Sequence, residues 1–149
     1  MAAGGDTPLK YSAHKLGAVF YVLWGILHML SGTNFLYQLS TVGVTGLFAV
    51  PDSPQSFPEA AIALLTQHSW NLVIAGFFAL AVGIWLNWRN SRIGYWLNLY
   101  LVGAFDVAFV CTRVLPGYTD ASGWLGPILA VLAIVFTSIG LFREAAQTA

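Results

Sequence analysis

The chain has 149 residues, 58% hydrophobic and only 8% charged, with six basic and six acidic side chains and a formal net charge of zero. Soluble domains carry about a quarter charged residues, and here the apolar residues fall in long blocks, a pattern that identifies an integral membrane protein. A neutral chain has no basic field to attract nucleic acid, and a single cysteine, Cys111, gives neither an internal disulfide nor a CxxC pair for thiol redox or metal chemistry.

In chain order, residues 1–15 form a polar segment with Lys10 and Lys15 at its end, expected on the cytoplasmic side. The first span comes next, over residues 16–39. Its length and the lack of a small-residue cleavage site distinguish it from a secretory signal. Residues 40–58, "STVGVTGLFAVPDSPQSFP", form an external loop. Its first half could continue the first helix, run extended or lie as a lid over the bundle, while Pro51, Pro54 and Pro58 break any helix in the second half. Pro58 followed by Glu59 suits a helix start. The second span covers residues 60–88, the tight "WRNSR" turn joins it to the third over 93–115, and a loop centred on Pro116 and Gly117 leads to the fourth over 124–142. Residues 143–149 form a short cytoplasmic tail.

Each span reaches or approaches the ~20 residues that cross ~30 Å of hydrocarbon, and backbone groups in lipid must be satisfied internally, which selects helices for runs this apolar. The short connections make neighbours antiparallel. The expected fold is therefore an all-α, four-transmembrane-helix up-down bundle forming a single domain over residues 16–142. Lys10, Lys15, Arg89, Arg92 and Arg143 collect on one side and only Arg113 on the other, so the positive-inside rule puts both termini in the cytoplasm of a multi-pass cell-membrane protein, the inner membrane in a bacterium.

A charge at the bilayer centre costs about 2.5 to 3.5 kcal/mol, so intramembrane ionisable groups face the bundle interior and mark functional sites. Counted from the cytoplasmic ends, His28 and Asp106 lie about twelve and thirteen residues into spans one and three, at nearly the same depth. Tyr21, Trp24, His28 and Ser31 share one face of span one, where Gly25 and Gly32 let another helix approach. On span three, Leu99, Gly103, Asp106, Val110 and Arg113 form the matching face. His28 and Asp106 are thus expected to meet inside the bundle, directly or through water, with Tyr21, Trp24 and Ser31 around them; the structural alternative is that Asp106 bonds a neighbouring backbone group or Ser31 and His28 is a neutral packing residue, the two serving to stabilise the bundle. A second polar cluster, His68, Asn71 and Arg113, lies near the outer boundary. It reads either as interfacial anchoring or as an anion-recognising mouth. Asn98 suits helix-to-helix hydrogen bonding, Cys111 a small packing residue, and the almost uniformly apolar fourth span a lipid-facing wall.

Several chemistries are excluded by pattern. A haem held between His28 and His68 would need axial ligands at one depth, whereas the two lie roughly 12 Å apart along the membrane normal. His28 and Asp106 give two ligands where a catalytic zinc or di-iron centre needs three or more, and no HxxxH or ExxH pattern occurs. No G-x-S-x-G elbow is present. No metal or other cofactor is expected. The favoured reading is a buried polar centre that binds a lipid or other apolar small molecule, with His28 and Asp106 able to perform acid/base chemistry. The alternatives are an accessory or assembly subunit packed on a membrane-protein partner, and a small proton-coupled transporter acting as a homodimer.

Overall fold

The computed structural model describes residues 12–47 and 57–148. Lys10, Pro51 and Pro54 lie outside the described residues. The elements are α1 (Ala13–Thr41), the short α2 (Val44–Leu47), α3 (Glu59–Trp85), a 3-10 turn (Asn87–Arg89), α4 (Arg92–Phe109) continuing into a π turn (Val110–Val114), a second 3-10 turn (Ala121–Trp124), and α5 (Leu125–Thr148). No strand occurs among the described residues. Four helical stretches are long and apolar enough to cross a membrane: Ala13–Thr41, Glu59–Arg89, Arg92–Val114 and Ala121–Arg143.

The ends of these helices obey local chemistry. Gly43, at φ +76, turns the chain out of α1 into α2, so the described start of the 40–58 segment is a separate helical turn. Pro58 caps α3, which begins at Glu59. Between α3 and α4, Asn90 adopts the left-handed conformation at φ 56, and Ser91 Oγ accepts a 3.4 Å hydrogen bond from the Gly94 amide at the start of α4. Ahead of α5, the Asp120 carboxylate accepts from the Ser122 hydroxyl and amide, and these two bonds hold its carboxyl below the ordinary aspartate range. Residues 143–148 extend α5 instead of forming an irregular tail, since Glu, Ala and Gln favour helix and no breaker intervenes.

Packing is asymmetric about α1. Along α3, Ala18 meets Gly83, Gly25 meets Gly76 and Gly32 meets Ser69, a step of seven residues each time with the partner's number falling. The two helices are therefore antiparallel and held backbone to backbone. A Cβ on Gly25 would lie 2.5 Å from the Gly76 carbonyl oxygen, and one on Gly76 equally close to that of Gly25. Along α5 the same logic pairs His14 with Gly140, Gly17 with Thr137 and His28 with Gly126. α4 lies diagonally across from α1, packing on α3 and α5. Large side chains bridge the gap, so that Tyr21, Trp24 and Val102 fill the centre with Ala79, Ala130 and Ala133.

Two expectations change here. The fourth span is no simple lipid-facing wall, because its small residues Gly126, Ala130, Ala133 and Thr137 are buried against the bundle. The buried face of the third span is Tyr95, Asn98, Val102 and Asp106, not the stripe through Leu99 and Gly103; a Cβ on Gly103 would meet nothing within 4 Å. Asn98 sets this rotation. It is fully buried, and its amide nitrogen donates to Asn87 Oδ1 at 2.9 Å and the Ala79 carbonyl at 3.2 Å, while its Oδ1 has no partner among the described residues.

Candidate functional site

Asp106 is 6% exposed and Trp24 fully buried. The indole reaches from α1 across the diagonal of the bundle, and its Nε1–H donates to Asp106 Oδ2 at 2.8 Å. It can do so because α1 sits tight against α3 and α5 through glycine and alanine, leaving its Tyr21–Trp24 face to fill the wider space towards α4. Phe105, beside Asp106, meets the indole edge-on with ring centroids 6.4 Å apart. The direct partner of the carboxylate is thus Trp24, not His28, Ser31 or a backbone group.

His28 lies one turn beyond Trp24 and stacks on it, with ring centroids 3.6 Å apart and planes 22° from parallel. Its Nδ1 is 2.9 Å from the Trp24 carbonyl oxygen. A carbonyl only accepts, so Nδ1 carries the proton and, in the neutral ring, Nε2 presents its lone pair. That nitrogen makes no hydrogen bond among the described residues. Both His28 and the second carboxylate oxygen face Gly126 on α5: a Cβ built there would lie 3.4 Å from Asp106 Oδ1, 3.4 Å from His28 Cε1 and 3.9 Å from Nε2. Histidine and aspartate therefore border one space without bonding each other directly.

The proton logic of the pair is set by its fixed neighbours. Trp24 only donates, so Oδ2 is committed as an acceptor and a proton on the carboxyl belongs on Oδ1. Nδ1 is committed as a donor, so a proton taken up by the ring belongs on Nε2. The two uncommitted positions both look towards Gly126, and a hydroxyl or amine placed between them would meet an acceptor on each side, or a donor and an acceptor once one proton is added.

The other expected residues divide. Tyr21 is in the core, with its buried hydroxyl facing Thr137 of α5. Ser31 is half-buried and makes no hydrogen bond with the pair among the described residues. His68 and Asn71 are exposed near the start of α3, and Arg113, in the π turn, acts electrostatically on His68. Cys111 is exposed, not a packing residue. Among the described residues no three His, Cys, Asp or Glu side chains group as a metal site. Polar contacts not anticipated from the sequence lie deeper, where Tyr95 Oη and Ser138 Oγ are 3.0 Å apart beside the Asn98–Asn87 pair. Asn87 carries no sequence signal because it stands where a span is ending.

Set against protein-family models, curated proteins and solved structures, the chain matches none.

Proposed function

We propose that this membrane-type bundle binds an apolar small molecule or lipid through one polar head group, held between His28 Nε2 and Asp106 Oδ1. The observation that carries the reading is the convergence of these two uncommitted polar atoms on Gly126, where a methyl group would lie in contact distance of both side chains. Trp24 serves as a positioning residue for both, donating to the carboxylate and accepting from the imidazole through its carbonyl. With one proton between two sites, the pair also has the means to take a proton from a bound head group at one atom and return it at the other.

The test is extraction of small molecules from protein purified out of native membranes, comparing wild type with Asp106→Asn and His28→Gln by mass spectrometry. Wild type should carry a compound enriched over bulk lipid, and both variants should lose it while keeping the wild-type helical content. A retained compound identical in all three proteins would sink the proposal.

A further inference from the structure

Arg113 is left unexplained by that site. Its Nε is buried and has no hydrogen-bond partner, and no acidic side chain pairs with it among the described residues. A permanent cation near the edge of an apolar bundle requires a counter-charge, and the described residues offer none there. The π turn at Val110–Val114 decides where the charge goes. Each such turn inserts an extra residue relative to α-helix, rotating the residues beyond it by up to about 100°. Arg113 is thereby turned off the Asp106 face, and its electrostatic neighbour is His68 on α3.

An open apolar groove of about 280 Å³ runs between α3 and α4, lined by Asn71, Ile74, Ala75, Phe78, Leu101 and Phe105. His68, Asn71, Ala75 and Phe78 recur at steps of three and four, so they form one stripe along α3 that leads from the cationic end into the groove. A guanidinium with no counter-ion among the described residues, at the head of a stripe that leads into an apolar groove, is complementary to a fixed negative head on an apolar tail.

We infer that the α3–α4 groove is a binding site for an anionic phospholipid, with the phosphate on Arg113 and His68 and one acyl chain along Ala75, Phe78, Leu101 and Phe105. Arginine's planar fork matches phosphate oxygens in pairs, and Asn71 stands at the level of the lipid's ester groups as a hydrogen-bond donor. This site is separate from the His28–Asp106 centre, since Phe105 stands between them.

The test is native mass spectrometry of the detergent-solubilised full chain, titrated with phosphatidylglycerol and, separately, phosphatidylcholine of the same chains. Wild type should bind one phosphatidylglycerol in preference to phosphatidylcholine. Arg113→Gln should reduce that preference about tenfold, the worth of one charge-assisted hydrogen bond. Arg113→Lys, which preserves the charge should Gln fail to fold, should retain part of it. Ile74→Trp, which narrows the groove without altering charge, should weaken both lipids alike. Asp106→Asn and His28→Gln should leave the preference unchanged, which separates this proposal from the one above. Equal binding of the two lipids by wild type, an unaltered preference in folded Arg113→Gln, or displacement of the lipid by millimolar inorganic phosphate alone would each overturn it.

Discussion

The Asp106 carboxylate is tolerated in the bundle because a specific donor, the Trp24 indole N–H, meets one of its oxygens. Replacing that donor by Trp24→Phe should destabilise the protein by about 1–3 kcal/mol, the cost of leaving a buried polar group without its partner, read as a lower unfolding midpoint in detergent. Asp106→Asn keeps an acceptor for the indole and should stay close to wild type, whereas Asp106→Leu strands the Trp24 N–H and should fall below both. Equal midpoints for Asn and Leu would show that the indole bond contributes nothing. At this scale the sequence is informative about depth: counting residues puts His28 and Asp106 at one level, and both do border Gly126. It is silent on the Trp24 bond, because the reach of an indole across the diagonal depends on how closely α1 sits against α3 and α5. That spacing is a property of helix pairs and not of the residue.

Helix pairing rests on the seven-residue steps Ala18, Gly25, Gly32 on α1 and Gly83, Gly76, Ser69 on α3. Gly25→Ala and Gly76→Ala each put a methyl 2.5 Å from the opposing carbonyl oxygen, and the helices must separate; overpacking of this kind costs about 1–3 kcal/mol. Gly103→Ala provides the internal control. Its methyl meets nothing within 4 Å, so the substitution should be neutral or stabilising by up to about 1 kcal/mol through helix propensity. A denaturation series in which Gly25→Ala and Gly103→Ala behaved alike would refute glycine-mediated close approach at this interface. The small-residue steps on span one are legible in the sequence as a close-approach face. The corresponding role of span four is hidden there, since Gly126, Ala130 and Ala133 differ from a lipid-facing wall only in size, and hydropathy does not register size. The face of span three departs from its expected position for a different reason: Asn98 and the Leu86–Gly94 contact fix the rotation of α4 from the turn, and the π turn then breaks the helical period before Arg113.

For the whole molecule, antiparallel helices of even number bring both ends of the bundle to the side carrying Arg89 and Arg92, and we propose from the positive-inside rule that this side is cytoplasmic. Fusions at residue 149 should therefore give fluorescent green fluorescent protein and inactive alkaline phosphatase in a bacterial host, with the reverse for phosphatase inserted in the 115–124 loop; phosphatase activity at the C-terminus would invert the topology. The proposed head-group position lies where Gly126 lacks a side chain, and substitution at this position alters no polar atom of the pair. The most direct measurement is accordingly native mass spectrometry of small molecules retained by wild type, Gly126→Ala and Gly126→Leu, with unfolding midpoints recorded in parallel. An alanine methyl would sit at ordinary contact distance, 3.4 Å from both Asp106 Oδ1 and His28 Cε1, so Gly126→Ala should fold like wild type with weakened retention, and Gly126→Leu should lose the bound compound. Folded Gly126→Leu protein that retains the same compound as wild type would contradict the proposed site.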